Sequence, residues 1–149
     1  MDAEQGMVDL YKKRIGELGT RHVDTRVVAG NLLVEPEALT GDEYRGFDLI
    51  TVGAALHAFP SGGDAVRCLA ERLGLGGVLF VQDRFDDGWY GGRGPRGFTL
   101  DDMRDFMGKA GLVEFRFEVL PDKLEIEMLD GEVVSIWCFV ARGMKPGGE

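Results

Sequence analysis

Apolar residues at Met7, Leu10, Tyr11, Ile15 and Leu18 recur at helical spacing, with charges opposite and Gly19 after them, which predicts an amphipathic helix from Gln5 to Leu18. Arg26 to Ala29 is a short β-like run that ends in Gly30-Asn31-Leu32-Leu33, a strand followed by a turn. Residues 34–45 are acidic, contain Pro36 and Gly41, and read as a loop with at most one helical turn. The apolar run Leu49 to Val52 comes next, ending in Gly53-Ala54-Ala55 and then Leu56-His57-Ala58-Phe59. Small residues and a polar ring after an apolar run suit a buried central strand of a parallel sheet, opening onto a crevice at its carboxyl end.

Pro60-Ser61-Gly62-Gly63 starts a second helix whose apolar positions Val66, Leu69 and Leu73 are three and four apart, closed by Gly74. Gly76-Gly77 turns into another apolar strand, Val78 to Asp83, with a polar end. From Arg84 to Gly97 the chain holds Gly88, Gly91, Gly92, Gly94 and Gly97 and reads as a mobile loop or lid. Thr99 and Asp102 form a helix-start signature, Leu100, Met103, Met107 and Ala110 give that helix an apolar face, and Gly111 ends it. Leu112 to Val119 alternates as a strand, Pro121 to Gly131 is a connection able to extend a hairpin, and Val133 to Ala141 is a last strand. Helix and strand alternate in the middle, so the fold class is α/β. The sheet is expected to be mostly parallel, covered by helices on both faces, with a C-terminal antiparallel hairpin.

At 149 residues the chain is expected to be a single domain. Its formal charge of −9 and isoelectric point of 4.7 oppose binding to nucleic acid or an anionic membrane through bulk electrostatics, and suit a neutral or cationic small molecule. No apolar stretch reaches membrane-span length and no secretory core is visible, so the expected compartment is the cytoplasm. Cys68 and Cys138 each lie inside an apolar element and read as buried free thiols; with two histidines no metal site is expected.

The pattern, together with Phe47-Asp48-Leu49-Ile50, Leu56-His57-Ala58-Phe59, Leu73-Gly74-Leu75-Gly76-Gly77-Val78-Leu79 and Gly97-Phe98-Thr99-Leu100-Asp101-Asp102-Met103, resembles the class I S-adenosylmethionine-dependent methyltransferases, in particular fungal small-molecule methyltransferases. The resemblance covers nearly the whole chain and implies an incomplete Rossmann-like methyltransferase sheet. Leu49 to Val52 would be the family's fourth strand, and Asp2-Ala3-Glu4-Gln5-Gly6-Met7 the segment after its second. The family's first strand and its glycine-rich turn, which cradles the cofactor's methionine part, have no counterpart in this sequence. Strands one and two of the family lie between strands three and four. The expected remedies are strand three moving beside strand four, a second copy forming a homodimer, or another chain supplying the missing strands.

Each candidate residue carries a functional and an ordinary reading. The resemblance implies cofactor contacts for Asp2 (at the ribose) and for Asn31 and Leu32 (beside the adenine), and Gly53 and Ala54 are small where the backbone must approach a cofactor or another helix; a chain terminus, a turn asparagine and close packing are the alternatives. His57, just past the strand end, can act as a general base or hydrogen-bond a loop, and Asp83 at the next strand end can orient it or cap a nearby N–H. Phe59, Trp89, Tyr90 and Arg93 are candidate substrate contacts, the last three also suiting a solvated loop. Three functions follow. Methyl can pass from S-adenosylmethionine to a small molecule if a partner or dimer completes the cofactor site. The retained fold can instead serve a non-methylating acid–base cyclase, isomerase or dehydratase, or the chain can be a non-catalytic subunit of a full-length paralogue.

Overall fold

A computed structural model describes residues 5–17, 31–34, 39–88, 96–127 and 131–148, which divide between Gly41 and Asp42 into two compact units. In the first unit, helix α1 spans Gln5–Glu17. Among its described side chains Val8 is buried, at 1% exposure, while Leu10 and Tyr11 of the expected apolar stripe are exposed. Leu32 is buried within a turn. The expected strand at 26–29 lies outside the described residues.

The second unit is built on a four-stranded sheet. Its elements are β1 (Phe47–Gly53), α2 (Gly62–Arg72), β2 (Leu73–Arg84), α3 (Leu100–Lys109), β3 (Val113–Val119), β4 (Leu124–Glu127), β5 (Val133–Ile136) and β6 (Cys138–Met144). The sheet order is β1-β2-β6-β3; β4 and β5 pair as a separate antiparallel ribbon. β1 and β2 run parallel, joined by the α2 crossover, and β6 is antiparallel to both β2 and β3. The mixed α/β sheet with its reversed C-terminal strand thus follows the expected class.

Three expected boundaries shift. The second helix ends at Arg72, and Leu73 is already extended, pairing with Phe47. The register then jumps so that Leu49 faces Val78, and residues 74–77 form an excursion in β2. Glycine is required there: a Cβ on Gly77 would lie 2.4 Å from the Phe47 carbonyl oxygen, and Gly76 has φ of +77°. The last apolar run is two strands, because the chain leaves the β4–β5 ribbon at Trp137 and enters the main sheet at Cys138. Third, among the described residues β1 is an edge strand and not a buried central one. Among the described residues it pairs with β2 alone, and Leu49 is 59% exposed.

Helix ends follow their sequence signals. The Ser61 hydroxyl accepts the Asp64 N–H, and Thr99 with Asp102 forms a reciprocal capping box. At the other end of α3, Gly111 (φ +73°) lets Leu112 N–H reach the Met107 carbonyl, a Schellman closure. Met103 and Met107 are fully buried, whereas Leu100, expected on that face, is exposed in the first turn. Gly143 marks the face α3 covers, since a Cβ there would meet Leu112 and the Met107 sulfur. Alternation places Leu79, Val81, Asp83, Phe139 and Ala141 on that same face, all buried. α2 contributes Ala65, Val66, Leu69 and Ala70 to the buried core and packs beside α3. Among the described residues no helix is long and apolar enough to cross a membrane.

Candidate functional site at the carboxyl ends of the parallel strands

β1 and β2 run parallel, so their carboxyl ends open on the same edge of the sheet. Beyond Gly53 the backbone turns at Ala54, whose φ of +50° is a left-handed conformation few alanines adopt; the Ala54 N–H donates to the Gln82 carbonyl at 2.8 Å. Leu56, fully buried, then anchors a short 3₁₀ turn, Leu56–Ala58, that carries His57. The turn is closed by Ala58 N–H on the Ala55 carbonyl and Phe59 N–H on the Leu56 carbonyl.

Asp83, at the end of β2, is 2% exposed and is the buried acid of the core. Its Oδ1 lies 2.6 Å from His57 Nδ1 and accepts the Arg84 N–H at 2.7 Å, while Oδ2 accepts the His57 backbone N–H at 3.1 Å. A buried carboxylate must be hydrogen-bonded to be tolerated, and these three donors satisfy it. An ionised carboxylate only accepts, so His57 Nδ1 donates to Asp83, and in the neutral ring the lone pair lies on Nε2. The ring keeps 12% of its surface exposed. A half-buried imidazole held in one tautomer by an acid can take a proton from a phenol, hydroxyl or activated carbon.

Asp83 also acts on Cys138, the neighbour of its cross-strand partner Phe139. Burial first, and the Asp83 charge second, push the Cys138 thiol above its ordinary value, with Arg84 opposing. Cys138 is buried and Cys68 half-buried; neither is in a disulfide. The loop after β2 is folded back at its described ends by an ion pair of Asp86 with Arg96 and by Phe98 N–H on the Arg84 carbonyl.

The structure thus brings His57 and Asp83 together, 26 residues apart in sequence, with Gly53 and Ala54 at the same strand ends. Phe59 sits two residues beyond His57, half-buried. Asp2, Trp89, Tyr90 and Arg93 lie outside the described residues. Of the candidate cofactor residues, Gly53 has open space where a Cβ would stand, which suits close approach of a ligand to the backbone. Within the first unit, the Asn31 side-chain oxygen accepts the N–H groups of Leu33 and Val34, the geometry of a turn asparagine, and Leu32 is 2% exposed. The Arg84 N–H, which completes the carboxylate's shell, has no signal in sequence, because any residue but proline supplies it.

No family model matches the chain, and no curated protein matches it by sequence. Solved structures do. The YcgJ protein of Bacillus subtilis matches with a TM-score of 0.68 at 17% identity, over 98% of this chain and 81% of that one. A SAM-dependent methyltransferase from Methanosarcina mazei matches with a TM-score of 0.70 at 15% identity, over 99% and 81%. The [4+2]-cyclase SpnF matches with a TM-score of 0.67 at 16% identity, over 98% of this chain and 64% of SpnF. With the sheet order and the crossover described above, these likenesses establish that the chain has the class I S-adenosylmethionine-dependent methyltransferase fold.

Proposed function

We propose that this protein acts on a small molecule by proton transfer at His57, oriented by Asp83, and that the deprotonated oxygen, nitrogen or carbon is then the acceptor in methyl transfer. The observation that carries the reading is the 2.6 Å contact between His57 Nδ1 and the buried Asp83 carboxylate at the carboxyl ends of β1 and β2. The fold supports it, since methyltransferases are among its structural neighbours. S-adenosylmethionine, when bound, supplies an electrophilic methyl group, and Gly53 and Ala54 would border it. This chain's own residues remove the acceptor's proton, place Nε2 against it and return the proton to solvent. A second copy of the chain, or another chain pairing with β1, completes the cofactor site beside it. In support, β1 pairs with β2 alone among the described residues.

A second reading is favoured by one observation: a neighbour on this fold is described as a [4+2]-cyclase. On that reading the His57–Asp83 pair works without methyl transfer, as the acid–base centre of a cyclisation, isomerisation or dehydration.

Calorimetric titration with S-adenosylmethionine, with the mass in solution measured beside it, separates the two. Heat of binding from a dimer or a reconstituted complex supports methyl transfer, and its absence at millimolar cofactor leaves the acid–base reading. Turnover of phenols and enolisable ketones, with and without cofactor, then compares the wild type with His57→Gln. Equal turnover by both would sink either version.

A further inference from the structure

The sheet face opposite α2 and α3 carries a second candidate site, away from the strand ends. Register fixes one transverse row across all four strands: Thr51 beside Phe80, Phe80 beside Arg142, and Arg142 beside Arg116. The next row brings Val140 beside Glu118. Alternation sets these residues on the face away from Gly143 and the helices. Phe80, Val140 and Arg142 are half-buried there, and Arg116 and Glu118 are exposed. Together they line a hollow of about 430 Å³.

Two features of this hollow point to a ligand. Arg142 and Arg116 are directly opposed across β6 and β3, where side chains start about 5 Å apart, and like charges so placed repel. Among the described residues no ion pair or hydrogen bond engages either guanidinium, and the single carboxylate in the hollow, Glu118, is outnumbered by the two arginines. In a protein of net charge −9, this is a local concentration of the opposite sign. Beside the arginines lies an apolar floor of Phe80 and Val140. The volume falls in the usual range of small-molecule sites, about 300–1,000 Å³.

We propose that this hollow binds a small organic anion. Its carboxylate, sulfonate or phosphate lies between the guanidiniums of Arg142 and Arg116, and its apolar or aromatic body lies on Phe80 and Val140. A guanidinium pairs with such groups through two parallel hydrogen bonds, and an anion between two guanidiniums converts their repulsion into attraction. The charges meet at one point rather than running along the face, which favours a compact anion over an acidic helix laid across the strands. Glu118 at the rim selects against polyanions.

The test uses 2-naphthoate as the anionic probe and 2-naphthamide as its neutral counterpart, titrated into the full chain and followed by amide chemical shifts. The expected result is saturable naphthoate binding that shifts Phe80, Val140 and Arg142, is weakened by added salt, and drops about tenfold or more in both Arg142→Gln and Arg116→Gln. Both substitutions sit on an open face, and an unchanged thermal midpoint confirms that the variants fold. Equal binding of naphthamide, shifts confined to other residues, or no binding at millimolar naphthoate would overturn the proposal. So would a dimer in sedimentation that Arg142→Gln dissociates, since the face would then be a contact between copies.

Discussion

Asp83 grips His57 at two points, taking the ring Nδ1–H on one oxygen and the backbone N–H on the other. Side chain and main chain are therefore positioned by a single carboxylate, and the imidazole can neither rotate nor change tautomer without giving up a charge-assisted bond. Asp83→Asn removes the charge and keeps the volume. It is expected to let the Nε2–H tautomer appear in ¹⁵N spectra of the imidazole, where the wild type shows Nδ1–H. Stability should fall by about 2–3 kcal/mol in urea titrations, because hydrogen bonds to a charged acceptor are lost in a buried place. Any turnover that depends on His57 should fall about a hundredfold or more. A wild type already in the Nε2–H form would show the orienting role to be wrong.

Two glycines make opposite predictions. Gly77→Ala forces a Cβ to within 2.4 Å of the Phe47 carbonyl oxygen and 2.9 Å of the Gly74 carbonyl oxygen, both backbone atoms that cannot swing aside. A loss of about 3 kcal/mol is expected, from overpacking against a fixed strand. Gly53→Ala meets open space and should leave the urea midpoint nearly unchanged. If Gly53 borders a ligand, that same substitution weakens cofactor binding in calorimetry without touching the fold.

The capping box of α3 isolates a local contribution. Thr99 accepts the Asp102 N–H at 3.1 Å, and the Asp102 carboxylate accepts the Thr99 N–H at 2.8 Å. Thr99→Ala should cost about 1 kcal/mol, read from equilibrium unfolding, and Thr99→Ser much less. Equal losses for both would show that the threonine methyl, rather than the hydroxyl, matters there.

Cys138 yields a pH dependence. Its thiol is raised above the ordinary value, chiefly by burial and then by Asp83, so the folded state favours the neutral form. The stability this contributes is whole below the unfolded thiol's value and is lost as pH rises through the higher folded value. Cys138 should therefore resist an aromatic disulfide reagent at pH 8 until the chain unfolds, and Asp83→Asn should speed its reaction. Rapid labelling of Cys138 in the native wild type would contradict this.

These features differ in how openly the sequence displays them. Caps are local: Thr99, Asp102 and Gly111 signal the ends of α3 within a few residues, and the structure uses them so. The sequence shows His57 and Asp83 as polar residues ending two apolar strands, but bringing them together rests on the resemblance, which makes those strands parallel neighbours. Leu49 to Val52 shows the limit of this reasoning. An apolar run looks alike in a central or an edge strand, and only the neighbours decide which it is. Trp137 shows another limit, since an unbroken apolar stretch from Val133 to Ala141 gives no sign that its two halves serve different sheets. The opposed arginines were hidden more deeply still. Arg116 and Arg142 meet through a register set by the whole of β6.

The place of β6 has a consequence for the order of assembly. Among the described strands it comes latest in sequence, yet it lies between β2 and β3 and supplies the hydrogen-bonding partner for both. On a ribosome, β1, α2 and β2 can form early as a local unit, while β3, among the described residues, gains its partner in the main sheet only when residues 138–144 emerge. The Asp83 end of β2 is held by Phe139 and Cys138 across the ladder, and Phe85 by the Trp137 carbonyl. The strand end that carries Asp83 is therefore expected to be fixed only once residues 138–144 have been made, as one event with completion of the four-stranded sheet.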